Sequence, residues 1–266
     1  MRINVAFCFD ENLMRQVRVT VAALLDARTD KTTHYDIYCV CTKEAAEAQT
    51  YLDDIVKKRD LESELYFIDI KNAYEKAYEV RGISSGAYLR LELPRLLPKV
   101  DKILYLDIDT FVRGGLESLW QIELKDYLLA GVKAAVNITD KWEWNSDRPY
   151  WGMLKDMKGK YVNSGVLLMN LAKMRERRME CQWNELAKIR LYYQDQDILN
   201  ITCQGAIYHL PPEYNRFAYF PDEEYRQFVE EGMYTQEECE KAIHRPTIIH
   251  YAGDKPWKRY DGNLCS

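Results

Sequence analysis

The chain has 266 residues, with 37 Lys and Arg against 42 Asp and Glu, for a formal net charge of −5. Apolar residues at 47% and charged residues at 30% are the proportions of a soluble globular protein, and the length suits one large α/β domain. The acidic balance excludes nucleic acid as the main partner, since phosphate backbones need Lys/Arg-rich faces; 12 Gly and 8 Pro exclude a low-complexity chain, and no apolar run reaches the ~18–20 residues of a membrane helix.

An anionic ligand therefore gains nothing from net charge and must be held locally. The start, Met1 to Asp10, turns acidic too soon for a signal peptide. The seven Cys include no CxxC knuckle and read as reduced thiols, mostly core filler, in a cytoplasmic protein.

In chain order, Ile3–Phe9 is an apolar run ending in the polar turn Asp10-Glu11-Asn12, and Met14, Val17, Val21, Leu24 and Leu25 recur at helical spacing. Tyr35–Cys41 reads as a second strand, Ala45–Lys58 as a surface helix and Leu65–Ile70 as a third strand. This alternation predicts a mostly parallel sheet flanked by helices, with ligands outside the carboxyl ends of its strands. Gly82–Leu93 reads as a Gly/Ser turn and short helix, and Lys102–Asp109 as an apolar strand that turns acidic. Residues 140–160, with Trp142, Trp144, Tyr150 and Trp151, read as a long aromatic loop, either a satellite cluster or a sugar-stacking acceptor surface. Val162–Leu171 is a buried strand, Trp183–Tyr193 a helix, Ile207–Leu210 a strand stopped by two prolines, Thr235 and Glu238 a capping box, and Thr247–Tyr251 a last strand. Neither GxGxxG nor GxxxxGK[ST] is present, which disfavours a Rossmann dehydrogenase and a P-loop enzyme.

The acidic strand end carries the chemistry. Residues two apart on a strand share a face, so Asp107 and Asp109 are expected to converge, their Cα atoms ~6.6 Å apart. Carboxylates at ~4 Å repel by ~4 kcal/mol at an effective dielectric of 20. A hard divalent cation offsets that cost, as solvent or a shared proton also can. The pattern is weak alone: 20 Asp in 266 residues give roughly 1.5 DxD matches by chance, and the chain has two, the other being Asp195-Gln196-Asp197. His250 closes an apolar run and precedes Gly253 and Lys255. A His beside two carboxylates favours manganese over magnesium.

Six motifs then stand in order: Phe9-Asp10-Glu11-Asn12; Ala87-Tyr88-Leu89-Arg90-Leu91; Leu104 to Asp109; Val162-Asn163-Ser164-Gly165-Val166-Leu167-Leu168; Gln194 to Asn200; and His250 to Trp257. Together they make the chain, from Val5 to about Lys258, resemble glycosyltransferase family 8. These are retaining enzymes that include lipopolysaccharide galactosyl- and glucosyltransferases and are related to glycogenin. The resemblance implies a single GT-A domain, residues 1–110 mainly its nucleotide-binding half and 111–266 its donor-sugar and acceptor half. It also implies a UDP-galactose or UDP-glucose donor, Mn²⁺ with Mg²⁺ as the alternative, an oligosaccharide or glycolipid acceptor, and at most peripheral contact with the inner face of a membrane. Asp107, Asp109 and His250 would hold the metal. Asp10, Asn12 and the backbone at Cys8 would meet uracil and ribose. Ile108 falls among the donor contacts with the acidic pair. Arg90, Asn163, Ser164, Asp195 and Gln196 would surround the donor sugar, with Gln196, Asp195 and Arg90 in catalytic roles. Gly253 and Lys255 would close on the pyrophosphate, although family members often carry two residues between them where this chain has only Asp254.

Other readings remain open at this point. An inverting GT-A transferase or sugar nucleotidyltransferase shares the sheet and the acidic pair. The 20 Tyr suit a self-glycosylating, glycogenin-like protein. Arg90 also reads as a surface ion pair, Asn163 as a turn amide, and Gln194–Asp197 as an exposed helix start.

Overall fold

The computed structural model describes residues 1–10, 13–41, 46–70, 74, 77, 85–134, 151–253 and 255–258. Strand and helix alternate first, as the apolar periodicity predicts: β1 (Arg2–Phe9), α1 (Gln16–Asp26), β2 (His34–Cys41), α2 (Ala46–Arg59) and β3 (Glu64–Asp69). A 3-10 stretch, Ser85–Glu92, runs into α3 (Leu93–Leu96), whose Pro94 lies in the first turn, where no N–H is needed. β4 (Lys102–Leu106), β5 (Thr110–Val112), α4 (Glu117–Trp120) and β6 (Leu129–Lys133) follow. Then come α5 (Trp151–Leu154), β7 (Val162–Asn170), α6 (Leu171–Glu176), α7 (Met179–Leu186), α8 (Gln194–Thr202) and β8 (Ile207–Leu210). β9 (Arg216–Phe217), α9 (Asp222–Glu230), α10 (Gln236–His244) and β10 (Ile248–His250) complete the described order. The Thr235/Glu238 capping box opens α10 with both reciprocal bonds formed.

Seven strands form one sheet in the order β3-β2-β1-β4-β7-β6-β8. β1, β2, β3 and β4 pair in parallel, as do β6 and β8, while β7 runs against both β4 and β6. The expected mostly parallel sheet is present, with one reversed strand. Both faces are covered. Ile3, Val5, Phe7 and Phe9 of β1 enter one core with Leu104 and Leu106 of β4, while Ala6 and Cys8 enter the other with Ile103 and Tyr105. Burial on both faces explains why these strands read as continuous apolar runs. Each fully buried large apolar side chain contributes about 1.5–3 kcal/mol. Chain order reverses between β1 and β4, and in such sheets ligands bind at that switch point, outside the strands' carboxyl ends. A second sheet, β5-β10-β9, stands beside it. Among the described residues, no helix is long and apolar enough to cross a membrane.

Three expectations change. β4 stops at Leu106, because the Thr110 N–H and hydroxyl both donate to the Asp107 carbonyl, at 3.1 and 2.7 Å, and close a turn. Asp107 and Asp109 thus meet through a turn and not through strand alternation. The helix expected over Trp183–Tyr193 is α7, which starts and ends earlier; short backbone bonds through Ile189 and Leu191 then tighten the chain before α8. Trp151–Leu154 is helical, while Trp142, Trp144, Tyr150 and the Trp151 side chain lie outside the described residues.

Candidate active site

The switch point between β1 and β4 collects most of the residues singled out in the sequence. Asp107 follows the last residue of β4, and its N–H donates to the Gly165 carbonyl at 2.8 Å. Thr20 of α1 donates to the Ile108 carbonyl at 2.5 Å, and the Tyr251 N–H donates to the Asp109 carbonyl at 2.9 Å. The turn is therefore pinned from three directions. β5 leaves it at Thr110, and β10 pairs antiparallel with β5, placing His250 opposite Thr110. In this way the second sheet delivers an imidazole to a pair of carboxylates far earlier in the chain.

One ligand atom from each of Asp107, Asp109 and His250 lies within 4.8 Å of the others. His250 Nε2 stands 3.3 Å from Asp109 Oδ1 and 3.8 Å from Asp107 Oδ2. Gly165 makes this approach possible: a Cβ there would lie 2.2 Å from His250 Cε1 and 2.9 Å from Asp107 Oδ2. Two carboxylate oxygens and one imidazole nitrogen around a gap kept clear by a glycine fit a divalent cation of manganese type. Burial would raise the Asp109 carboxyl, but the His250 ring and then Lys255 outweigh it and hold it well below the usual carboxylate range.

Arg90 links this centre to a second pocket. It is buried, and it donates from Nη2 to Asp107 Oδ1 at 2.9 Å and from Nη1 to the Ser164 carbonyl at 2.6 Å. Its Nε lies 3.1 Å from Asp195 Oδ2, and its guanidinium carbon stands 4.4 Å from the centroid of the Tyr105 ring. A fork that serves two carboxylates and a carbonyl is not the surface ion pair that its position alone suggested. Asp195 opens α8, buried, and accepts from the Ser164 hydroxyl at 3.2 Å. Burial pushes its carboxyl up to about 6 despite Arg90. Gln194, just before it, has φ 48, a left-handed backbone uncommon for a side-chain-bearing residue. The start of α8 is buried rather than exposed.

Gln196 is fully engaged. Its Oε1 accepts from Asn163 Nδ2 and from the Ser164 N–H, both at 3.0 Å, and its Nε2 donates to the Tyr161 hydroxyl at 3.2 Å. Asn163 lies in β7 rather than in a turn. Cys8 and Asp10 sit at the carboxyl end of β1, and burial pushes the Cys8 thiol up, which keeps it inert. Gly253 adopts φ 110, a region that favours glycine. Lys255 pairs with the Asp109 carboxylate and donates to the Tyr251 carbonyl at 3.1 Å. Asn12 and Asp254 lie outside the described residues.

Four residues were invisible to the sequence reading. Tyr105 donates to Asp107 Oδ1 at 2.6 Å, Tyr161 donates to Asp197 Oδ1 at 2.6 Å, Asn215 lies beside His250, and Gly165 clears the gap. Two of them, Tyr105 and Gly165, stand inside quoted motifs. The other two carry no local signal.

The model of "Glycosyl transferase family 8" matches residues 4–261. A putative glycosyltransferase of Haemophilus influenzae is 31% identical over 68% of this chain, and a lipopolysaccharide 1,2-glucosyltransferase of Escherichia coli is 29% identical over 96%. The chain spans 52% of the length of the first and 73% of the second. A solved structure of the galactosyltransferase LgtC with donor and acceptor sugar analogs superposes with a TM-score of 0.77 at 26% identity, covering 97% of this chain and 90% of that one. The architecture is thus the GT-A fold.

Proposed function

This chain belongs to glycosyltransferase family 8, and on that premise we propose that it moves galactose or glucose from a UDP-sugar to a glycan or lipopolysaccharide-type acceptor, with retention of configuration. The observation that carries the reading is the convergence of Asp107, Asp109 and His250 beside Arg90 and Asp195 at the switch point. The lipopolysaccharide glucosyltransferase and the galactosyltransferase among its relatives supply the choice of hexose and acceptor.

Charge supports a nucleotide diphosphate held through a cation. The ion-paired cluster holds three carboxylates, Asp107, Asp109 and Asp195, against two cations, Arg90 and Lys255. On its own it would repel a diphosphate. Asp107, Asp109 and His250 would hold Mn²⁺, which supplies Lewis-acid stabilisation of charge growing on the leaving diphosphate. Lys255 and the backbone at Gly253 would meet the pyrophosphate, and Asp10, Asn12 and the backbone at Cys8 the uridine. In this division residues 1–110 serve mainly the nucleotide, and 111–266 the donor sugar and acceptor. Arg90, rigid in its fork, orients Asp195 toward the sugar hydroxyls.

Retention is best served by attack from the leaving-group face. A double displacement needs a free nucleophile beneath the anomeric carbon. The amide of Gln196 is a weak nucleophile, and its oxygen already accepts two hydrogen bonds. In same-face attack the bond from the anomeric carbon to the diphosphate oxygen breaks as the acceptor oxygen bonds to that carbon, and the acceptor proton passes to the departing phosphate. UDP release measured across several UDP-sugars, with and without Mn²⁺, tests the reading. Wild type should turn over one UDP-hexose with Mn²⁺, and Asp107→Ala should not; equal turnover in the two proteins would refute it. A sugar found covalently on Asp195, Gln196 or Asp197 by mass spectrometry would refute the same-face route.

A further inference from the structure

We propose that Asn215 is a positioning residue that fixes the His250 tautomer and so turns the Nε2 lone pair toward Asp107 and Asp109. The inference rests on the cation reading given above and concerns a residue outside the ligand set.

Asn215 is wholly buried in a 3-10 turn that Pro211 and Pro212 introduce just before β9. Its Oδ1 lies 2.9 Å from His250 Nδ1, and its Nδ2 donates to Asn163 Oδ1 at 2.9 Å. Amide orientation is ambiguous when only side chains meet, but here backbone groups settle it. The Gly165 N–H, which can only donate, points at Asn163 Oδ1 at 2.9 Å. The Ser164 N–H likewise points at Gln196 Oε1, the same oxygen that takes Asn163 Nδ2. Two successive N–H groups of β7 thus dictate which end of Asn163 is oxygen. Asn163 Oδ1 then requires a donor from Asn215, so the Asn215 oxygen must face His250. An acceptor at Nδ1 holds a proton on that nitrogen, so Nε2 is the ring nitrogen left to ligate a cation held between the two carboxylates. Phe217, its ring 5.9 Å from that of His250, packs on the imidazole. Partners of this kind raise the basicity of a ligating His and fix its plane, and losing one costs about 10–100-fold in metal affinity.

The same chain of amides runs on to Gln196. Asn215 therefore ties the metal end of the site to the sugar end.

The test is a long-range proton–nitrogen NMR spectrum of the metal-free, full-length, histidine-labelled protein, paired with Mn²⁺ titration by calorimetry. The His250 ring should carry a proton on Nδ1, whether or not Nε2 also carries one toward Asp109. Asn215→Leu should move that Nδ1 proton toward Nε2 and weaken Mn²⁺ binding about 10–100-fold. Asn215→Asp keeps an acceptor against Nδ1, so it should restore the tautomer and wild-type Mn²⁺ affinity. It should lower kcat, because Asn163 loses its donor. A wild-type ring whose Nδ1 carries no proton overturns the proposal, as does a folded Asn215→Leu that binds Mn²⁺ like wild type. Should Asn215→Leu fail to fold, the wild-type spectrum and the Asp variant decide. Asp107→Ala, run in parallel, separates the two readings. If it binds Mn²⁺ as wild type does, the cation site itself is refuted, and the spectrum still judges Asn215. If only Asn215→Leu is unaffected, the positioning role alone falls.

Discussion

One end of the sheet carries a single buried carboxylate, Asp60, and the other a group in which Asp109 and Asp195 are buried and Asp107 is partly exposed, and the two are built on opposite plans. At the amino ends of β2 and β3, Asp60 is ion-paired with Arg28 at 2.7 Å and accepts from the Ser63 hydroxyl at 2.5 Å, from His34 at 3.0 Å and from the Glu62 N–H at 3.3 Å. Every direction of that carboxylate is used. At the carboxyl ends, Asp107 Oδ1 is taken by Tyr105 and Arg90, but Oδ2 accepts no hydrogen bond among the described residues and faces His250 and Asp109. A saturated buried carboxylate stiffens the fold, whereas one with an uncommitted oxygen in a shared gap waits for a ligand.

Substitutions at the two ends should separate activity from stability. Asp107→Asn, which keeps an acceptor for Tyr105 and Arg90, should cut UDP release about 1,000-fold while a urea melt moves less than that of Asp60→Asn. A large stability loss with intact turnover would make the two ends alike. Gly165→Ala comes next. Its methyl would press into the His250 ring, so calorimetry should show Mn²⁺ binding lost, with overpacking costing about 1–3 kcal/mol. Arg90→Lys keeps the charge but loses the fork between Asp107, Asp195 and the Ser164 carbonyl. Its kcat/KM should fall about 100-fold, a loss that added Mn²⁺ does not restore.

The smallest effect on activity belongs to Asp60→Asn. Burial pushes the Asp60 carboxyl up, but Ser63, His34, the Glu62 N–H and Arg28 together bring it below its usual value. A depressed folded-state value stabilises above the unfolded value and is lost as pH falls through the folded one. The variant should therefore lose about 1–3 kcal/mol at pH 7, keep its kcat, and approach wild-type stability as pH falls below about 4. A changed kcat would show that the two ends of the sheet communicate.

Much of this was legible in the sequence. β1, β2 and β4 announce themselves because both sheet faces are buried, which leaves unbroken apolar runs. Asp107 and Asp109 stood out at the end of such a run, though the geometry that joins them is a turn closed by Thr110. Arg90 and Asp195 were legible only through the order of the motifs, since each alone has an ordinary structural reading, whereas His250 also stood out at the end of an apolar run before Gly253 and Lys255. Asn215 and Tyr161 could not be found that way. Asn215 reaches His250 across 35 residues and Asn163 across 52, and Tyr161 reaches Asp197 across 36. A hydrogen bond between distant segments imposes no local periodicity.

The pairing of β10 with β5 has a consequence for biosynthesis. The two carboxylates emerge from the ribosome well before their imidazole partner, at residue 250. A chain made only as far as β5 has both carboxylates, one of them already paired with Arg90, and no imidazole beside them. The proposed cation site is therefore complete only once β10 has been made, so a chain cut short before residue 250 would lack one of its three proposed ligands.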